Sequence, residues 1–320
     1  MTTLRREFLA LTAGLAAAAG PVRAQGDYPS RVVRFIVPRA PGGGSDILTR
    51  TLAPAVGVKL GQTVVVENRP DATAIVGAEV VSRSRPDGYT IYVADNSFYF
   101  NPSIMPRLPY RTLEDFSAIT MLAQAPVVLI VGPAVQARNL AELIAFGRAN
   151  PGKLSYASGG VGSSTHFAGV LFSLQAGLQM VHVPYRSSGP ALTALLGGDV
   201  SMAFGGFASA GQLIRAGTVA AIAKTTAGAD PGIPTFAEAG LGGVDVGSLW
   251  GLHAPAETPF PIRRKLRDTF EAVMLEPAMN GRLKELGYEP ICSTPEEHER
   301  QTAETVAKWV EIGRRVDLNQ

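Results

Sequence analysis

The sequence predicts a mixed α/β fold in two domains, and three observations carry that prediction. Apolar strand-like runs alternate with helical stretches along most of the chain, the pattern of an α/β fold with largely parallel sheets. Two glycine-rich segments, Pro41–Asp46 and Ser158–His166, each lie between a strand and a helix, more than a hundred residues apart. Setting aside an amino-terminal export segment leaves close to 300 residues, a length that favours two domains with separate cores.

The elements follow in order. Val32–Pro38 reads as a buried strand and Ile47–Leu60 as the helix after the first glycine loop. Thr63–Glu67 is a second strand, Ile75–Ser84 a helix and Thr90–Ala94 a third strand. Pro102, Pro106 and Pro109 make Asp95–Arg111 irregular. Phe116–Val131 is extended with a break at Pro126, and Asn139 caps a helix running to Ala149. Leu154–Ala157 leads through the second glycine loop into a helix over Ser164–Gly177. Strands at Val181–Val183, Met202–Phe204 and Val219–Ala223 alternate with helices at Pro190–Leu196 and Ala208–Ala216. Gly228–Gly247 is rich in glycine and proline, and Ser248–Ala254 returns as a strand. The tail is helical over Pro261–Leu275, Pro277–Leu286 and Pro295–Arg315, the last capped by Thr294. Crossings near residues 115–130 and 228–250 would form a hinge. The expected organisation is lobe 1 from residues 25–125 plus 250–320 and lobe 2 from 126–249.

Glycines let backbone approach a ligand, and the helix that follows aims unpaired N–H groups and its positive dipole end at the same space. Two such anion cradles suggest two lobes closing over one carboxylate. The first loop is no nucleotide phosphate loop, because the Lys-Ser/Thr that should close it is missing. Within it, Asp46 is read as a helix N-cap, since a bare carboxylate repels an anion. In the second loop, one of Ser163, Ser164 and Thr165 must be a cap, which leaves the others for a ligand. His166 has two readings, a ligand contact or a core histidine in the first helical turn.

Leu4-Arg5-Arg6-Glu7-Phe8-Leu9 resembles a twin-arginine export motif, followed by an apolar run to Ala19 and an A-x-A-like site at Val22-Arg23-Ala24. The run is too short for a membrane anchor, so a signal peptide over residues 1–24 is expected, cleaved after Ala24 for a periplasmic location. Its loss removes three arginines and one glutamate from 29 basic and 27 acidic residues, leaving 26 of each. No basic tract then points to nucleic acid, and no basic amphipathic helix points to a membrane surface. The single cysteine, Cys292, rules out an internal disulfide and reads as an inert thiol in a short strand.

Enzyme signatures are missing: there is no G-x-S-x-G elbow, no H-E-x-x-H and no Cys/His cluster. The histidines, His166, His182, His253 and His298, are too dispersed for a local metal motif. A non-enzymatic receptor without cofactor or metal is therefore expected, acting as a monomer. A ligand sensor for a membrane kinase and a secreted carboxylate- or ester-processing enzyme are the alternatives.

A series of short stretches then resembles the Bug (TctC-like) family of periplasmic receptors for tripartite tricarboxylate transporters. They include Tyr28-Pro29-Ser30-Arg31, Pro41–Asp46, Val65-Val66-Glu67-Asn68-Arg69-Pro70, Pro86-Asp87-Gly88-Tyr89-Thr90, Tyr156-Ala157-Ser158, His182–Arg186, Pro234–Gly240 and Ser293–Glu297. The resemblance implies a two-lobed periplasmic-binding-protein (Venus flytrap) fold, two mixed sheets flanked by helices with a hinge. It implies a small organic carboxylate held between the lobes and passed to membrane permease subunits. Carried over to this chain, the ligand loops are Gly42, Gly43, Gly44, Ser45 and Asp46, and Ser158, Gly160, Gly162, Ser163, Ser164, Thr165 and His166.

The chain departs from the family pattern at Arg39, where an aromatic residue is usual, at Asp71–Ala74, at Val161 and at Gly205-Gly206. Arg39 reads either as a solvated strand-end arginine or as a cation able to pair with a ligand carboxylate. Phe98, with Tyr99, Phe100, Phe204 and Phe207, either packs the hinge or walls the ligand, with Gly205 and Gly206 adding room. Specificity is expected from the far side of the cleft, near residues 95–101 and 204–207. Tyr185 and Arg186 can close over the cleft, and Trp250 reads as a core or hinge residue.

Overall fold

The computed structural model describes residues 28–315 apart from 72, 106, 134 and 229. The expected export signal and cleavage site within residues 1–24 lie outside the described residues. One compact unit begins at Arg31, and two sheets organise it.

Strands β1 (Val33–Val37), β2 (Val64–Asn68), β3 (Thr90–Ala94) and β4 (Phe116–Ala125) begin the first sheet. The chain crosses at Pro126 and lays down β5 (Val127–Val131), β6 (Leu154–Ser158), β7 (Met180–Pro184), β8 (Met202–Gly206) and β9 (Ala220–Lys224) as the second. Strands β10 (Ser248–Pro255) and β11 (Glu289–Pro290) return to the first. The orders are β11-β4-β10-β3-β1-β2 and β7-β6-β8-β5-β9. The sheets are more mixed than the alternation suggested. Strands joined by strand–helix–strand units pair in parallel, as β1 does with β2 and β3, and β6 with β7 and β8. The strands at the crossings, β4, β5 and β10, run antiparallel to their neighbours. The crossings are pinned together: Thr225 N donates to Val127 O at 2.9 Å, and Val127 N donates to Thr225 Oγ1 at 3.0 Å.

The helices are α1 (Gly44–Leu60), α2 (Ile75–Ser82), α3 (Asn96–Ile104), α4 (Leu140–Ala149), α5 (Ser164–Ala176), α6 (Ser188–Gly197), α7 (Phe207–Arg215), α8 (Phe260–Met274), α9 (Pro277–Glu285) and α10 (Pro295–Arg315). Local chemistry sets several of their starts. Asn139 Oδ1 accepts from Glu142 N at the head of α4, and Thr294 with Glu297 makes a reciprocal capping box before α10.

Helix α3 corrects the expectation of irregular chain over Asp95–Arg111. Its start is capped by Asp95, whose Oδ1 accepts from Ser97 N at 2.9 Å. Residues Asn96–Asn101 are all buried. Burying three consecutive aromatic side chains is worth several kcal/mol, which exceeds the roughly 3 kcal/mol that Pro102 costs a helix interior. Phe98 is fully buried within 6.1 Å of the rings of Tyr92, Tyr99, Tyr110, Phe116 and His253. From α10, Trp309 packs tilted on Phe100 of the first lobe and stacks on Phe167 of the second, with centroids 4.2 and 4.8 Å away. The apolar core is thus continuous between the lobes on that side.

Strand β11 stops earlier than expected because Cys292 turns with φ 55°. Its thiol is half-buried, 3.6 Å from the sulfur of Met274, and burial raises its pKa to about 11. The thiolate needed for reactivity is therefore disfavoured.

Candidate functional site

The first helical turn leaves backbone N–H groups without intrahelical partners, and five such turns meet at one cavity. They begin α1, α3, α5, α6 and α7, each directly or shortly after the carboxyl end of a strand. That is where open α/β sheets bind ligands. The cavity has a volume of about 50 Å³ and is lined from both lobes. At three of the five turns the N-cap residue makes no side-chain cap hydrogen bond: Gly43 before α1, Ser187 before α6 and Gly206 before α7. Their donors and dipole ends are available to an anion.

The first loop places Gly43, Gly44 and Ser45 on the cavity. A Cβ on Gly44 would come within 2.7 Å of Trp250 Cζ2, and one on Gly43 within 2.9 Å of Ser187 Cβ across the cleft. Only glycine permits both approaches. Ser45 Oγ accepts from Trp250 Nε1 at 3.0 Å. Asp46 is not the N-cap. It is the third residue of α1 and reaches back, accepting from Gly42 N, Arg50 Nε and Asn68 Nδ2 at 2.9–3.1 Å. These bonds hold the loop's shape and neutralise a carboxylate that would oppose an anion. Gly42 (φ 81°) supplies the turn, and its carbonyl accepts from Ser209 Oγ of the second lobe at 2.9 Å.

In the second loop Ser163, Ser164 and Thr165 line the cavity. Ser163 is the N-cap of α5, accepting from His166 N and donating to Gly160 O. Thr165 Oγ1 accepts from Gly159 N at 2.8 Å. Ser164 Oγ lies 2.7 Å from Ser248 Oγ of the first lobe. Gly160 and Gly162 take positive φ values of 117° and 76° and shape the turn behind this surface.

Other expected residues lie elsewhere. Ser158 Oγ bonds His182 Nε2 at 2.7 Å and accepts from Gly160 N. His166 is a buried core histidine, stacked on His182 at 4.3 Å, with Nδ1 accepting from Gly162 N. Burial and the neighbouring His166 lower the His182 pKa to about 3. Gly205 pairs with Val128 inside the sheet, and Tyr185 packs on the second lobe's apolar cluster. Phe98 sits in the first lobe's core and Phe204 in the second's, against Tyr156 and Phe172. No aromatic wall of phenylalanines faces the cavity, because those rings fill the lobe interiors.

Arg39 lines the cavity and is 4% exposed, so it is no solvated strand end. Its Nε donates to Asp95 Oδ2 at 2.6 Å, one Nη to Gly159 O at 2.8 Å in the other lobe, and the second Nη to Ser97 Oγ.

Sequence reading missed Ser187, Ser188 and Ser248 as lining residues and left Gly159 out of the ligand set. Asp95, Asn96 and Gly206 fall in the stretches 95–101 and 204–207 expected to set specificity. Trp250 is buried, as a core or hinge residue should be, and also lines the cavity. A signal for several was present. Asp95-Asn96-Ser97 after a strand, and Ser187-Ser188-Gly189-Pro190 shortly after another, are both helix-start patterns. Ser187 is 1% exposed and its hydroxyl has no partner among the described residues, an arrangement that favours a ligand contact. Among the described residues there is no cluster of metal-ligating side chains, and no helix is long and apolar enough to cross a membrane.

Comparison with known proteins gives the family. Residues 48–318 match the model of the tripartite tricarboxylate transporter family receptor. BugT of Bordetella pertussis is 32% identical over 308 residues, covering 95% of this chain and 93% of BugT. The structure of the periplasmic binding protein BugD superposes with a TM-score of 0.86 at 32% identity, over 90% of this chain and 98% of that one. R. palustris Rpa4515, solved with adipate, gives 0.86 at 29% identity, over 90% and 98%. The two sheets with their flanking helices are therefore the two-lobed fold of periplasmic binding proteins, and the chain belongs to the tripartite tricarboxylate transporter receptor family.

Proposed function

We propose that this protein is a periplasmic receptor that captures a small organic carboxylate between its lobes and delivers it to the membrane permease of a tripartite transporter. The observation that carries the reading is the convergence of five helix N-termini, from both lobes, on one cavity. The ligand carboxylate takes N–H donors from Gly44 and Ser45 of α1 and from the first turns of α5 and α6, with the Ser187 and Ser164 hydroxyls beside them. Contacts from both lobes exist together only in the closed form, so binding shifts the population toward closure. The family's character as binding receptors, and the adipate bound by a relative, support capture without turnover.

In this reading residues 1–24 direct export, Ala24 is the last residue removed, and the mature chain works as a monomer without cofactor. A thermal-shift screen of the mature protein against mono-, di-, aromatic and amino acids tests it. A ligand at a hundredfold its Kd adds about 2.7 kcal/mol of stability, and the ligand is expected back unchanged. Indifference to every acid, or consumption of one, overturns the proposal.

A further inference from the structure

The cavity lining includes two charged side chains, Arg39 and Asp95, and they are paired with each other. Both are buried, with side chains 5% and 11% exposed. Their charges are engaged with each other, and three of the five N–H donors of Arg39 are taken. Asp95 gives one oxygen to Arg39 Nε and the other to Ser97 N as the cap of α3. Arg39 directs its two Nη groups at Ser97 Oγ and at Gly159 O across the cleft. Drawing Arg39 away would strand a buried carboxylate, and an uncompensated buried charge is among the costliest states in a protein.

Two consequences follow for a ligand. The pair is neutral, so the attraction for an anion comes from the helix N-termini, and that field is directed at one small volume. A second carboxylate would lie against Asp95, with Arg39, the cation of the cavity lining, already paired. Space gives the same answer. One water needs about 10–15 Å³ of such volume, so about 50 Å³ holds a handful of non-hydrogen atoms.

We propose that the Arg39–Asp95 pair is the specificity element of this receptor, restricting it to short monocarboxylates of two to four carbons and excluding dicarboxylates. This rests on the carboxylate-receptor reading above and goes beyond it. The relative solved with adipate binds a six-carbon diacid, so this chain's preference differs in both charge and length.

The test is calorimetric titration with propionate, succinate and adipate against the wild-type protein and Asp95→Asn. Asparagine caps a helix as aspartate does, so the variant keeps the start of α3 while releasing the Arg39 charge. Wild type is expected to bind propionate at least tenfold more tightly than succinate, with adipate weaker still. In Asp95→Asn the succinate-to-propionate Kd ratio is expected to fall at least tenfold. Wild-type protein that binds succinate as tightly as propionate overturns the proposal without any variant, and so does an unmoved ratio in folded Asp95→Asn. A wild-type protein that binds none of the monocarboxylates, diacids or amino acids of the wider screen overturns the receptor reading itself, a result distinct from a wrong preference.

Discussion

The two glycine loops look alike in sequence and work differently. The first, in the β1 lobe, leaves its helix start uncapped and uses Asp46 from within the helix to hold its backbone. The second, in the β6 lobe, turns its hydroxyls on itself: Ser163 and Thr165 bond Gly160 O, His166 N and Gly159 N. A hydroxyl-rich loop therefore need not be the main ligand surface, since many of its hydroxyls hold its own turn. The bare glycine loop offers the ligand more. The lobes' histidine pairs differ as well. His166 and His182 have hydrogen-bonding partners. In the first lobe His298 has neither ring nitrogen partnered among the described residues, and His253 reaches only Thr302, at 3.5 Å.

Acid gives the largest expected effect. Burial holds the His298 pKa near 3 and that of His253 well below its ordinary value. The unfolded chain protonates these rings near pH 6.5 while the folded chain does not. Stability is then full above about pH 6.5 and falls as pH drops toward 3, by about 1.4 kcal/mol per pH unit for each such histidine. Denaturant melts from pH 7.5 to 4.5 should show this slope. His298→Gln should reduce it more than His182→Gln, because His182 is partly exposed and better screened; equal reductions would erase the contrast between the lobes.

Gly43→Val comes next. Its side chain would meet Ser187 across the cleft and hold the lobes apart, so carboxylate affinity should fall on the order of 100-fold, near the upper range of such couplings. Small-angle scattering with ligand should then keep the open radius of gyration. Ser163→Ala attacks the other loop and should cost about 1 kcal/mol of folding stability through the lost cap. If Gly43→Val mainly destabilised the fold, the proposed division between the loops would fail. The smallest effect belongs to Ser187→Ala. Removing a buried hydroxyl without a partner should leave the unliganded protein as stable or slightly more so, and weaken ligand binding by roughly 1 kcal/mol. Titration and melting of the same sample give both signs.

Much of this molecule is legible locally. The strand–helix alternation, the caps at Asn139 and Thr294, the break at Pro126 and both glycine loops are recorded in adjacent residues, because turn geometry and capping act within a few positions of the chain. Helix α3 is legible only at its start, in the Asp95-Asn96-Ser97 cap, and its continuation is hidden for the opposite reason. Three prolines over Asp95–Arg111 argue against regular structure, and burial of Phe98, Tyr99 and Phe100 among distant partners outweighs them.

By itself the sequence determined that two strand-to-helix glycine loops exist, that the chain alternates α and β, and that no catalytic signature accompanies them. Only the tertiary structure decided that five helix starts share one cavity. It also decided that Arg39 is held by Asp95, 56 residues away, and by Gly159, 120 residues away, and that Trp250 reaches Ser45 over 205. The physical reason is range. Backbone preference and periodicity are set by neighbours in the chain, whereas the partner of a buried charge is set by whichever lobe the fold brings against it.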